Sequence, residues 1–174
     1  MTVEILSLLS PIAADHEQPV RATLATFERG TGPFVGVPGT HVARFVVVNW
    51  LGTGDPRRRR RLRPARLLFS AVVDGPVEGW LWGLFERQGP AVETVWRHCS
   101  GWPEAGDRQA RTRWLLEQRL AITYPVVAND ATVAEIQRGL KRREALRGLK
   151  TKASLLTPAE LRAAYDKAMA EVRR

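Results

Sequence analysis

Residues 40–50 read T-H-V-A-R-F-V-V-V-N-W and residues 66–74 read R-L-L-F-S-A-V-V-D, two runs rich in β-branched and aromatic side chains. Between them lies G-T-G-D-P-R-R-R-R-R-L-R-P-A, where Gly, Pro and Asp interrupt the pattern, so the stretch predicts a β-hairpin. In the first strand His41, Ala43, Phe45, Val47 and Asn49 alternate with Val42, Arg44, Val46, Val48 and Trp50. In the second, Leu67, Phe69, Ala71 and Val73 alternate with Arg66, Leu68, Ser70, Val72 and Asp74. Both faces of the second strand are mostly apolar, as in a strand covered on each side. One face is expected under helices, the other against a second sheet or subunit.

Outward from the hairpin, the patterns are helical. Val20, Leu24 and Phe27 recur at helical spacing within 18–29, before Gly30, Gly32 and Pro33. Pro76 suits a helix start, with Val77, Trp80, Leu81, Leu84 and Phe85 as its apolar stripe and Gly89-Pro90 as its end. A short helix with Val92, Val95, Trp96 and Cys99 inward follows, and Asp107 caps a further one burying Ala110, Trp114 and Leu115. Residues 121–128, A-I-T-Y-P-V-V-A, read as an edge strand because of Pro125. Asn129-Asp130 is the expected cap of a long helix, and Thr157-Pro158-Ala159-Glu160 is a capping box opening a last helix with Leu161, Tyr165, Ala168 and Val172 on one stripe.

This order predicts an α+β fold, specifically a ferredoxin-like antiparallel sheet covered by helices, with a C-terminal helical extension. The expected organisation is an N-terminal arm over residues 1–17, one α+β domain over 18–152 and an amphipathic helix over 153–174. A ferredoxin-like sheet needs a fourth strand, for which residues 34–37 and 92–98 are the candidates.

Composition sets the limits on function. The 174 residues are 44% hydrophobic and 26% charged, enough for one core without a disulfide or structural metal. The single Cys99 excludes an internal disulfide and a Cys-cluster zinc site, and agrees with a reducing compartment. The N-terminal apolar run has no basic residue before it, and no apolar stretch reaches membrane-span length, so a cytoplasmic protein with no membrane role is expected. The net charge of +9 makes polyanions plausible partners. Of 27 basic residues 23 are Arg, a skew that a GC-rich coding sequence also produces, so placement matters more than the total. Seven Arg fall in residues 57–66, and residues 131–174 carry eleven Lys or Arg against five Asp or Glu, a balance of 11 − 5 = +6.

Three groups of residues could do chemistry. Thr40, His41 and Arg44 begin one strand while Asp74 ends its antiparallel partner, which would gather a base, a cation and an acid at one rim. The plain alternative is a structural Arg44–Asp74 ion pair with His41 merely beginning a strand. His98 lies in W-R-H-C-S-G-W-P near a helix end, where a neutral imidazole could ligate haem iron. Neighbouring helical residues point about 100° apart, so His98 and Cys99 are not a catalytic dyad. His16 lies in the expected arm, so no metal site is assigned. Third, Arg57, Arg58, Arg59, Arg60, Arg61 and Arg63, with Trp50 at their edge, form a polyanion-binding candidate; the alternative is a solvated loop that protects a sheet edge.

A-V-V-D-G at residues 71–75 resembles the G-x-x-D-G motif of dye-decolourising peroxidases, which are haem enzymes built on ferredoxin-like domains. T-H-V-A-R, V-V-D-G and H-C-S-G-W-P together resemble an uncharacterised bacterial family, over residues 40–128. The peroxidase resemblance implies that Asp74 helps cleave bound peroxide, Arg44 assists and His98 holds the iron. Ala71 departs from the motif's first glycine, His98 follows Asp74 by only 24 residues, and the chain has about half the size of two fused ferredoxin-like domains.

Two functions follow as expectations. The leading one is a small-molecule-binding protein, oligomeric through its sheet, with an aromatic-lined cavity and a haem-dependent or oxidoreductase-type site at the rim of the 40–74 hairpin; whether it is an enzyme stays open. The alternative is a non-enzymatic binder of nucleic acid or an acidic protein, using the arginine loop and the basic C-terminal helices.

Overall fold

A computed structural model describes residues 3–27, 32–52, 57, 59–103, 107–121 and 131–172. The chain divides into two compact units, residues 1–130 and 131–174. The boundary therefore falls some twenty residues earlier than sequence reading put it, and the last unit contains two long helices.

The first unit is α+β. Its elements are β1 (Val3–Pro11), α1 (Glu17–Ala25), β2 (Thr40–Leu51), β3 (Arg60–Asp74), α2 (Val77–Trp96) and α3 (Arg108–Glu117). The sheet has the order β1-β3-β2 and both pairings are antiparallel. β1 and β2 thus run the same way with β3 inserted between them, a split β-α-β unit consistent with a ferredoxin-like sheet covered by helices. The hairpin is as expected from its alternation.

Residues 3–11 are not an arm. Leu6, Leu8 and Ser10 of β1 are fully buried opposite Ala71, Phe69 and Leu67. This strand is the one missing from the sequence reading; residues 34–37 form a turn and residues 92–96 are helical. The outer edge of β1 is met by the chain after α3: Leu9 N donates to Gln118 O at 3.0 Å, Leu120 N to Ser7 O at 2.8 Å, and Leu8 bridges Arg119 in antiparallel fashion. The strand expected at 121–128 and the cap at 129–130 lie, from residue 122 onward, outside the described residues.

One sheet face carries the core. Ala65, Leu67, Phe69, Ala71 and Val73 of β3 are buried with Val20, Trp80, Leu81, Leu84, Trp96 and Leu115 from the helices. Phe69 is the hub: its ring lies 5.1 to 6.3 Å from those of Phe45, Phe34, Trp96 and Trp80. Gly89-Pro90 does not end α2 but bends it, with non-helical dihedrals at Gln88. Proline is tolerated there because it opens a new helical turn, where its missing N–H has no partner to lose.

The second unit is a pair of helices, α4 (Val133–Lys152) and α5 (Pro158–Val172). Each opens with a reciprocal capping box. Thr132 N donates to Glu135 Oε2 at 2.7 Å and Glu135 N to Thr132 Oγ1 at 3.2 Å, so Thr132, rather than Asn129-Asp130, caps α4. Thr157 and Glu160 repeat the arrangement on α5, as the T-P-A-E signature predicts. No residue of α4 is buried, and its Arg and Lys side chains are exposed. None of the described helices is long and apolar enough to cross a membrane.

Candidate functional site

The chemistry-bearing residues divide between the two ends of the sheet. At one end, the register shifts between Thr40, opposite Val73, and Val42, opposite Val72, leaving His41 as an extra residue in β2. Such a bulge redirects side chains and is common beside functional sites. Here His41 Nε2 reaches Asp74 Oδ1 at 2.9 Å, both side chains being mostly shielded. Thr40 points the other way, into the core, where its Oγ1 accepts a hydrogen bond from Trp80 Nε1 at 2.9 Å.

The turn before β2 and the turn after β3 fix this rim. Gly39 has φ +74° and its carbonyl accepts from Asp74 N at 2.7 Å; a Cβ on Gly39 would stand 3.1 Å from that of Asp74. At Gly75 a Cβ would meet the Glu4 carboxylate, whose Oε2 accepts from Val77 N at the start of α2. The D-G step thus has a local structural reason: the glycine lets an acid approach a helix N-terminus.

Arg44 does not join the pair. It is exposed and opposite Ser70, four residues along β3 from Asp74, or about 13 Å at ordinary strand rise. The expected Arg44–Asp74 grouping is therefore absent, and His41 is the partner of Asp74.

His98 lies at the opposite end. Ala13 N donates to His98 O at 2.9 Å and Ser100 N to Pro11 O at 2.8 Å, so His98 sits beside the end of β1. Asp74 is opposite Val3 at its start. Eight residue steps separate Val3 from Pro11, about 26 Å. One haem cannot use both His98 and Asp74 at that distance, so the peroxidase roles drawn from the resemblance do not meet in this chain. The aromatic residues expected to line a cavity instead fill it: Trp96 and Trp102 stack at 6.1 Å, and Trp102 meets Trp114 edge-on at 5.2 Å. Cys99 is buried, which pushes its thiol pKa up to about 12 and removes it as a nucleophile.

Sequence reasoning missed the partner of His98. His16 reaches it across the fold, Nδ1 to Nδ1 at 3.2 Å, because β1 is a strand of the sheet rather than a loose arm. Burial, then the nearby His16 and Arg97, lower the His98 pKa. Among the described residues no group of three His, Cys, Asp or Glu is placed to hold a metal ion.

The same end carries the arginines. β3 begins at Arg60, so Arg60, Arg61 and Arg63 belong to a strand rather than to a loop; Arg58 lies outside the described residues. Trp50 pairs with Arg61 and Leu51 with Arg60, forming a two-stranded ribbon that runs past the end of β1. Arg57, Arg59, Arg60, Arg61 and Arg63 are exposed, as is Trp50 at 51%. Among the described residues, Arg59, Arg60, Arg61 and Arg63 enter no ion pair.

At the base of the ribbon is a cleft of about 890 Å³, whose lining includes Arg21, Asn49, Arg61, Arg63 and Ser100. Glu17 lies in its wall, held by Arg21 at 3.0 Å and by Asn49 Nδ2 at 2.6 Å. The Arg21 hydrogen bond is the main cause of its lowered pKa, with Asn49 and the charges of Arg21 and Arg61 adding to it. Arg21 is its ion-pair partner and Arg61 adds to the positive field around it, while Arg63 enters no ion pair among the described residues.

Comparison with protein-family models, curated proteins and solved structures finds no match to this chain.

Proposed function

We propose that this chain binds single-stranded nucleic acid through the β2–β3 ribbon and the cleft at its base. The observation that carries the reading is the exposure of Arg59, Arg60, Arg61 and Arg63, none of them in an ion pair among the described residues, with Arg61 directly across the ribbon from the exposed Trp50. Guanidinium forks pair with phosphate oxygens, and an uncovered indole offers a stacking surface to an unpaired base. Duplex DNA keeps its bases stacked on each other, so the indole favours a single strand. The net charge of +9 supports association with a polyanion of any sequence, and backbone contacts of this kind carry no base preference. The test is fluorescence polarisation of a labelled single-stranded oligonucleotide against the full chain at low and moderate salt. Tight binding that weakens with salt supports the reading, and no binding at low salt rejects it.

A second reading rests on the His41–Asp74 pair. An imidazole oriented by a carboxylate is the arrangement of a general base, and a small molecule seated beside the bulge would be its substrate. Loss of turnover in Asp74→Asn, with the fold intact, would support it.

A further inference from the structure

The helical unit of residues 131–174 is charged unevenly. Seven of the twenty residues of α4 are Lys or Arg against two Glu, and all seven are exposed. Arg138 and Arg142 stand four residues apart, as do Arg143 and Arg147, so like charges adjoin on the helix surface and repel. None of the seven enters an ion pair among the described residues. Such a helix is stabilised by a polyanion that binds it folded.

Between α4 and α5 runs a groove of about 660 Å³, lined by Arg138 and Arg142 from α4 and by Tyr165 and Met169 from α5. One helical turn sets the two arginines about 6 Å apart along the axis, so each can take a separate phosphate. Tyr165 is 39% exposed and offers its ring to a base. Two carboxylates share the lining, and both are engaged. Glu135 Oε2 accepts from Thr132 N at 2.7 Å and Thr132 Oγ1 at 2.8 Å, and Asp166 Oδ2 accepts from Arg162 Nε at 3.4 Å. We infer that this groove is a second binding site for single-stranded nucleic acid, with phosphates on Arg138 and Arg142 and a base on Tyr165. The inference rests on the reading of the chain as a single-strand binder and extends that activity to its second unit.

Charge and side-chain chemistry select this occupant. Insertion into an anionic membrane needs an apolar stripe, and the exposed Leu140 and Leu146 lie about 120° apart around α4. A tyrosine ring beside two unpaired guanidinium groups suits a ligand that carries flat rings as well as negative charge.

The experiment is a calorimetric titration of the full chain at low salt with a thymidine oligonucleotide of about six residues, short enough to occupy a single site. Wild type is expected to bind two equivalents, Arg138→Gln/Arg142→Gln one, and the ribbon variant Arg59→Gln/Arg60→Gln/Arg61→Gln/Arg63→Gln one. Glutamine is a good helix former, so α4 should survive, and circular dichroism checks it. Two equivalents in Arg138→Gln/Arg142→Gln overturn the inference. One equivalent in wild type, lost with the ribbon arginines and kept in Arg138→Gln/Arg142→Gln, overturns it and leaves the ribbon standing; no binding at all overturns both. Tyr165→Leu, which retains an apolar side chain, should weaken the groove's equivalent several-fold for the thymidine oligomer and leave an abasic oligomer of the same length unaffected. An equal loss on both oligomers, or a polyglutamate peptide that takes the groove as tightly as the oligonucleotide, also overturns it.

Discussion

Nδ1 of His98 lies 3.2 Å from Nδ1 of His16, joining the residue before α1 to the end of α2. At that distance one ring nitrogen donates and the other accepts, and a further proton on His98 would set two N–H groups against each other. With its folded-state pKa lowered, His98 takes up a proton more readily in the unfolded chain. Its contribution to stability is therefore complete above the ordinary histidine pKa of about 6.5 and is lost as pH falls through the lowered value. The thermal midpoint should fall between pH 7.5 and 5.5 in wild type and fall less in His98→Gln. Equal slopes for the two proteins would show that the pair does not titrate in this way.

Gly39 carries its φ of +74° directly beneath Asp74. Gly39→Ala is expected to cost about 1–2 kcal/mol from the left-handed backbone alone, with crowding against Asp74 adding to it. Urea unfolding measures the loss, and a change within error of zero would mean that the turn relaxes without strain.

Phe69 is wholly buried at the centre of the aromatic cluster. Phe69→Ala should destabilise by about 3–5 kcal/mol, because the neighbouring rings cannot all close on the space left behind. A loss below about 1 kcal/mol in the same unfolding experiment would contradict the packing described.

Asp74 lies at the far end of the sheet from the arginine ribbon. Asp74→Asn should therefore leave oligonucleotide affinity unchanged while weakening the link to His41. A large loss of affinity in this variant would place the nucleic acid at the other rim.

Trp50 is the stacking candidate, and Trp50→Ala should weaken single-strand binding by about 1–3 kcal/mol, roughly fivefold to 150-fold in Kd. An equal loss on duplex DNA would argue against stacking on an unpaired base.

The hairpin was legible because β2 and β3 alternate over many residues and the break between them is strong. The N-cap at Asp107 and the capping box at Thr157 were legible for a similar reason: the residues that make them are close in sequence. β1 was not legible. V-E-I-L-S-L-L-S-P is apolar on both faces, buries a serine and ends in proline, so its period fits neither strand nor helix well. That single omission hid the third strand of the sheet and the meeting of His16 with His98, both of which depend on where β1 lies. The His41–Asp74 contact was within reach from antiparallel pairing, but the bulge that excludes Arg44 is a matter of register that no local pattern reports.

The most direct measurement is the salt dependence of single-stranded oligonucleotide binding for wild type and for Arg59→Gln/Arg60→Gln/Arg61→Gln/Arg63→Gln. Four lost phosphate contacts should reduce the slope of log affinity against log salt by about 3 and weaken binding at low salt. The same slope and the same affinity in both proteins would contradict the assignment of the ribbon as the nucleic-acid surface.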